Sequence, residues 1–362
     1  MSDVNQLLQT TKELIAFRTT EDRPEALRAC ADYIELFFES SGLTVERFEN
    51  EGIPSVIVTK GTKTPTVFLS GHFDVVPGSD DQFEPQVKGD KLYGRGALDM
   101  KSGDAVMMHL MRDLAETEHS IGLMLTGDEE IGGFNGVAKL VEKGYGAEVV
   151  IIPDGGEAVH KVVSKEKGIL RATLVASGTN AHGSTPWNGE NAISKLAQAI
   201  TVVEQLFTPV DQHPDNHWVT TVNVGTIQGG EATNQVPDQA SATLDIRFTE
   251  ADDPNVLIKK IASVLPAGVQ VNATVVASML NIPLEHKMIT PFVDALAAHG
   301  RTAEWTLDSG ASDGRFFADK GVPVIISQPD GANLHAPGEW VSIPALELYY
   351  HVIKDYLDRI SR

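Results

Sequence analysis

The stretch SGHFDVVPG, Ser70 to Gly78, follows the strand formers Thr66-Val67-Phe68-Leu69 and sets His72 and Asp74 two residues apart where that run stops. Two further apolar runs end in comparable chemistry. LMLTGDEE leads into Asp128, Glu129 and Glu130, and VVIIPD ends in Asp154. GRGALDMKSGD places Asp99 in a glycine-flanked turn just before a helix, and GANLHAPGEW places His335 in a loop after the last apolar strand. Imidazoles with several carboxylates and no thiolate suit zinc, and also cobalt or manganese. Residues of this kind gathered at one edge of a sheet can hold two ions if one carboxylate bridges them. Each has a plainer reading when taken alone. A strand-end histidine packs as core, an Asp-Glu-Glu run is a solvated turn, Asp99 starts a helix, and Asp154 after Pro153 shapes a turn. Their joint occurrence at successive strand ends argues against chance. His109 and His351 lie in helices, while His119, His160, His213, His217, His286 and His299 lack a carboxylate-rich strand end, so these read as structural or surface residues.

What must position such residues is an open α/β sheet, which binds ligands at the carboxyl ends of its strands. Two amphipathic helices come first, the second started by Pro24 in its first turn. Strands and helices then alternate: SVIVTK, TVFLSG, a helix from about Ser102 to Leu114, IGLMLTG, a helix from about Phe134 to Lys143, and EVVIIPD. Uninterrupted apolar strands alternating with helices predict a mainly parallel sheet covered on both faces. After Lys167 the rhythm changes. Strand Ile169 to Ser177, helix Asn191 to Leu206, strands Val219 to Ile227 and Ala240 to Phe248, helix Pro254 to Val264 and strand Val269 to Val276 spell βαββαβ, a ferredoxin-like unit complete in itself. Beyond Leu280 the first rhythm resumes, with a helix near Pro291 to His299, the strand VPVIIS and a closing helix from Pro344 to Ile360. The reading is one α/β domain, residues 1–167 and 279–362, interrupted by a smaller one at 168–278.

Bulk composition narrows the class. At 362 residues two domains are the natural expectation. A single cysteine rules out a disulfide framework. With 29 basic against 50 acidic residues the formal charge is -21, which repels nucleic acid and anionic lipid. The N-terminus carries Asp3 where a secretory leader wants positive charge, and its apolar residues are helically spaced rather than continuous. No apolar run approaches the roughly 20 residues of a membrane-spanning helix. The expectation is a cytoplasmic protein with no nucleic-acid or membrane partner.

The motifs GHFDVVP, GRGALDMKSG, LTGDEEIGG, NAHGSTPWNGENAI, TNQVPDQASATLDIR, SGASDGRFF and LHAPGEW together resemble the M20 family of metallopeptidases and amidohydrolases, over nearly the whole chain. That family includes acetylornithine deacetylase, succinyl-diaminopimelate desuccinylase, aminoacylase, dipeptidases and glutamate carboxypeptidase. The resemblance implies a zinc-peptidase-like α/β/α catalytic domain, with the inserted unit serving as lid and dimerisation domain. It implies two zinc ions per chain, with cobalt or manganese as substitutes. His72 and Asp154 would be terminal ligands of one ion, Glu130 and His335 of the other, and Asp99 the bridge. Asp74 would accept a hydrogen bond from the far ring nitrogen of His72, as ligating histidines generally require. The peptide bond Asp99–Met100 would be cis.

The same resemblance makes Glu129 the general base and His182 the residue that binds the substrate's carbonyl oxygen, reaching the active site of the other subunit of a homodimer. Asn234 would add an amide donor near that oxygen. Arg247 would grip a substrate carboxylate, since a guanidinium matches that group bidentately; its plainer reading is a strand salt bridge. Arg315 is a similar but weaker substrate-binding candidate, in a loop that would also support the site. The activity implied is metal-assisted hydrolysis of the amide bond in an N-acylated amino acid, of the deacetylase or desuccinylase kind. The alternative is a dipeptidase or aminopeptidase acting on short peptides, favoured by Asp154, because deacylases of the family usually carry Glu there. A third reading, a catalytically inactive binding paralogue, stands against the presence of all five ligand candidates and the base.

Overall fold

The computed structural model describes residues 3–361. By its internal contacts the chain divides into two units. One comprises the chain up to Lys165, Asn281–Asp308 and the chain from Ser312 onward; the other comprises Glu166–Leu280 with Ser309–Ala311.

The first unit is built on a six-stranded sheet ordered Thr44–Asn50, Ile53–Thr59, Ile121–Thr126, Val67–His72, Val149–Ile152, Val324–Ile326. The first two pairings are antiparallel and the remaining three parallel. Its four middle strands are apolar and buried almost throughout, as strands covered on both faces must be. The strand ending in His72 lies between parallel neighbours, in register His72 with Thr126 and Leu69 with Ile151. Parallel pairing puts the carboxyl ends of all three at the same edge. That edge is where the sequences after Thr126, His72 and Ile152 emerge.

Helix Lys101–Asp113 is buried from Lys101 through Met111 and packs on the strands Val67–His72 and Ile121–Thr126 as well as on helices Val4–Ala16 and Ile343–Ile360. Its approach to the sheet explains a glycine in mid-strand. A Cβ on Gly71 would lie 2.2 Å from Asp104 Oδ1 and 2.7 Å from the methyl carbons of Met100 and Met107. The buried Lys101 ammonium donates to the carbonyls of Leu14 and Phe17, satisfying the end of the first helix from inside the core.

The second unit has a four-stranded antiparallel sheet ordered Thr221–Gly229, Gln239–Phe248, Gly168–Ser177, Val269–Ala277. With helices Ala192–Glu204 and Pro254–Val264 this is the ferredoxin-like order. Its core alternates along the strands, with Leu170, Leu174, Leu244 and Ile246 facing inward, and recurs at helical spacing as Leu196, Ala199 and Val203.

The sequence reading missed the three-stranded sheet of Leu280–Asn281, Lys161–Glu166 and Glu304–Asp308 and two further features. Strand Thr44–Asn50 is charged and half-exposed, an edge strand without an apolar run. A small antiparallel sheet of Gly331–Ala332, Trp340–Ser342, Lys91–Tyr93 and Gln86–Lys88 has segments too short to show any period. Among the described residues no helix is long and apolar enough to cross a membrane.

Gly71→Ala should lower unfolding free energy by about 1–3 kcal/mol through overpacking, read by urea denaturation of the chelator-treated protein. His109 sits between Thr10 Oγ1 at 2.9 Å and Arg112 Nη2 at 3.0 Å, and burial, helped by Arg112, lowers its pKa from 6.5 to about 4. In that window the unfolded chain binds the extra proton, so stability falls as pH drops from 6.5 toward 4. His109→Gln should flatten that part of the wild-type pH profile.

Candidate metal centre

His72 is the last residue of its strand, and Asp154 follows the neighbouring strand Val149–Ile152. Glu129 and Glu130 open a 3-10 turn, Glu129–Ile131, after the strand on the other side. Asp99 precedes helix Lys101–Asp113 across a cis peptide bond to Met100. His335 belongs to the loop between Gly331–Ala332 and Trp340–Ser342 and takes a left-handed φ of 59°. The small sheet pairs Trp340 with Tyr93 and Val341 with Leu92, which ties the His335 loop to the segment leading into Asp99.

These side chains form two groups, His72 with Asp99 and Asp154, and Asp99 with Glu130 and His335, each with ligand atoms within 4.8 Å of one another. His72 Nε2 stands 3.1 Å from Asp99 Oδ1 and 3.9 Å from Asp154 Oδ2. His335 Nε2 stands 2.8 Å from Asp99 Oδ2 and 3.2 Å from Glu130 Oε1. Asp99 thus offers one oxygen to each group. Ligand atoms on one tetrahedral zinc lie about 3.4 Å apart, given bond lengths near 2.1 Å. His72 Nε2 and Asp99 Oδ1 are buried without a hydrogen-bond partner, although only 3.1 Å separates them. Two donor atoms at that distance leave room for a cation bound to both. The donor set, two imidazoles with carboxylates only, fits zinc, cobalt or manganese.

Electrostatics point the same way. Hydrogen bonding to Asp99, then to Glu130, raises the His335 pKa to about 10. Burial opposes a charge on His72, yet Asp74, Asp99 and Glu129 hold its pKa well above the ordinary value. Burial opposes ionisation of Asp99, but the two imidazoles keep it below its usual range. So many acids in one buried place call for positive charge.

The two adjacent glutamates diverge because successive residues of a 3-10 turn are about 120° apart. Glu130 faces His335, while Glu129 Oε2 lies 4.0 Å from His72 Nε2. Burial pushes the Glu129 carboxyl well above its usual value, with Asp154, Asp313 and Glu130 adding to it against His72. A carboxylate so raised accepts a proton more readily than a free one. The turn ends at Gly132 and Gly133, both with positive φ. A Cβ on Gly133 would lie 1.9 Å from Asp313 Oδ1.

Asp74 stands beside the far ring nitrogen of His72 and has further partners. His72 Nδ1 lies 3.1 Å from the Asp74 carbonyl oxygen and 3.4 Å from its carboxylate. The carboxylate accepts the backbone N–H groups of Glu129 at 3.2 Å and Glu130 at 3.0 Å. It therefore orients the turn that carries both glutamates as well as standing beside the imidazole. Asp128 accepts the N–H of Asn135 at 2.7 Å and shapes the same loop.

Arg315 differs from its reading as a substrate residue. It is 3% exposed, and its guanidinium donates to the carbonyls of Ser312 and Gly132, both at 2.7 Å, which turns it to the loop of Glu129. In the second unit, Arg247 makes a two-pronged pair with Asp245, at 2.8 and 3.2 Å. This is the strand salt bridge given as its plainer reading. His182 and Asn234 are brought together where Ala181–His182 pairs with Gln235–Val236 and Gly183 N–H donates to Asn234 O at 2.7 Å. Ser184 N–H donates to His182 Nδ1 at 3.1 Å, so the neutral ring carries its proton on Nε2.

Sequence reasoning overlooked Arg95 and Glu339. Both are buried, and the only sequence cue was their place inside motifs quoted for other residues, GRGALD and HAPGEW.

The family model Peptidase family M20/M25/M40 matches residues 68–359. A succinyl-diaminopimelate desuccinylase of Rhodospirillum centenum is 28% identical, covering 91% of this chain and 91% of its own. One of Nitrosococcus oceani is 28% identical, covering 97% and 98%. Among solved structures, a tripeptidase from Staphylococcus aureus matches with a TM-score of 0.82 at 23% identity over 100% of both chains. An M20 family metallo-carboxypeptidase from Sulfolobus solfataricus matches with a TM-score of 0.80 at 19% identity, covering 99% of each. At those identities the structural likeness speaks for the fold.

Asp74→Asn keeps size but removes one acceptor oxygen from the two N–H groups and the charge beside His72. Metal affinity should fall about 10–100-fold, measured by competition with a chromophoric chelator; unchanged affinity would contradict the role described.

Proposed function

The chain belongs to peptidase family M20/M25/M40, and we propose that it is a metal-dependent hydrolase of the amide bond in an N-acylated amino acid, of the deacetylase or desuccinylase kind. The observation that carries this reading is the pair of ligand groups sharing Asp99, with the carboxyl of Glu129 beside them. The names of the curated relatives favour the acyl amino acid over a peptide.

In this reading His72 and Asp154 hold one ion, Glu130 and His335 the other, and Asp99 both; zinc is proposed, with cobalt or manganese as substitutes. When bound, two such ions would acidify a water and polarise a carbonyl. Glu129 takes the water's proton as it attacks the amide carbon and returns that proton to the departing amine. Asp74 keeps Glu129 and Glu130 facing their separate tasks by holding both of their N–H groups. His182, neutral with its proton on Nε2, donates to the carbonyl oxygen as charge develops there, and Asn234 adds a second donor. Arg247 engages a substrate carboxylate by exchanging Asp245 for it. Arg315 acts on the Glu129 loop. Dimerisation through residues 168–278, with His182 serving the site of a second copy, belongs to the same proposal.

One observation favours a second reading, cleavage of dipeptides. Asp154 stands where the deacylase branch of the family usually carries Glu. Assay of N-succinyl and N-acetyl amino acids against free dipeptides, with zinc, cobalt or manganese added, separates the two. The proposal expects turnover of the acylated substrates; turnover of dipeptides alone overturns it in favour of the peptidase. Glu129→Gln should keep fold and metal content yet lose activity by several orders of magnitude. Near wild-type turnover in that variant removes Glu129 from the role of base.

A further inference from the structure

We propose that Arg95 and Glu339 form a buried clamp that sets the positions of Asp99 and His335, and so the metal affinity of the centre. The inference rests on the two-ion reading above, and it assigns a positioning role to residues that touch neither ion nor substrate.

Glu339 is 1% exposed and Arg95 3%. The Glu339 carboxylate accepts four hydrogen bonds. Oε1 takes the N–H of Leu98 at 2.8 Å and of Asp99 at 3.2 Å, and Oε2 takes the N–H of Gly96 at 3.1 Å and Arg95 Nη1 at 2.7 Å. Two oxygens with about four lone-pair directions are thereby saturated. Three of the four backbone N–H groups from 96 to 99 are held by this one carboxylate, and Asp99 leaves that turn with one oxygen toward each imidazole.

Arg95 does the corresponding work on the other side. Its second nitrogen, Nη2, donates to the His335 carbonyl at 3.2 Å and reaches the Pro77 carbonyl at 3.5 Å. Pro77 lies in the segment that leaves His72 and Asp74, whose Val76 N–H donates to Glu130 Oε1 at 3.2 Å. Glu339 itself sits four residues after His335 on the same loop, and its own carbonyl accepts Gly94 N–H at 3.2 Å. One ion pair therefore joins the Asp99 turn, the His335 loop and the strand exit after His72.

A purely structural pair would need no such targets. Buried ion pairs are poor sources of stability, because the loss of hydration offsets much of their attraction. The partners here are the backbone amide of the residue offered to both ions and the carbonyl of a terminal ligand. Outer hydrogen-bonding groups of this kind are worth about 10–100-fold in metal affinity.

The test uses the full-length protein stripped of metal and titrated with Co²⁺, read by the visible absorption of the bound ion and by its stoichiometry. Wild type should bind two equivalents. Failure at that step defeats the two-ion reading itself, independently of the clamp. Glu339→Gln keeps the shape but turns an N–H₂ group toward backbone donors, and should weaken both steps about 10–100-fold with an altered spectrum. Arg95→Lys keeps the charge but not the fork, and should weaken chiefly the step assigned to His335. Tyr356→Phe, which removes a hydroxyl bonded to the Met288 carbonyl, serves as the stability control and should lower the melting temperature with no change in Co²⁺ binding. Glu339→Asp adds a second carboxylate variant in case the amide fails to fold. Folded variants that bind two equivalents with wild-type affinity and spectrum overturn the proposal. Loss of folding in every Arg95 and Glu339 variant overturns it as well, in favour of a purely structural pair.

Discussion

The carboxylate of Asp99 has to face two imidazoles at once, at 3.1 and 2.8 Å, and the arrangement around the centre follows from that requirement. A side chain on a mobile loop would swing to one partner or the other. Here its backbone is pinned on both sides, by Glu339 before the cis bond and by the start of a helix buried in the core after it. The neighbouring strands supply the rest, because parallel pairing delivers His72, Asp154 and the Glu129–Glu130 turn to one edge without further adjustment.

Burial makes this edge costly and useful in the same measure. Carboxylates removed from water resist ionisation, which burial shows at Asp128, raised to about 6, and at Asp313, raised to about 7. The chain meets the cost with donors, namely backbone N–H groups on Asp74, Asp128 and Glu339, and with cations where a donor is missing. His72 Nε2 and Asp99 Oδ1, buried without a hydrogen-bond partner, belong to the group that could hold a metal ion. A low-dielectric pocket strengthens whatever charge interaction is finally made there. It also raises the Glu129 pKa above that of a free carboxyl.

The second unit is organised around its own apolar core and has a short two-stranded ladder, Ala181–His182 with Gln235–Val236, apart from its main sheet. That ladder fixes His182 next to Asn234 and, through Ser184, fixes which ring nitrogen bears the proton. A separately folded insertion can present such donors without disturbing the strand order of the domain it interrupts. Its charged strand residues, by contrast, satisfy each other, as Arg247 does with Asp245.

Much of this was legible in the chain itself. Apolar runs and their spacing determined the alternating α/β order and the βαββαβ insertion, because burial on one or both faces imposes a period that any sequence must obey. Residue chemistry, read with the family resemblance, pointed to His72, Glu130 and Asp154 at or just past the ends of strands, to Asp99 in a turn before a helix and to His335 in a loop, since few residue types suit a metal ion. Tertiary structure alone decided the remainder. Segments of two or three residues, such as Gly331–Ala332 and Trp340–Ser342, carry no period and become strands only when the chain brings them together. Whether Arg315 faces a substrate or the Gly132 carbonyl, whether Asp74 holds two amides besides standing by an imidazole, and whether Glu339 meets Arg95 across 244 positions of sequence all depend on directions in space. A hydrogen bond has a direction and a sequence has only an order, so these partnerships exist only in the folded chain.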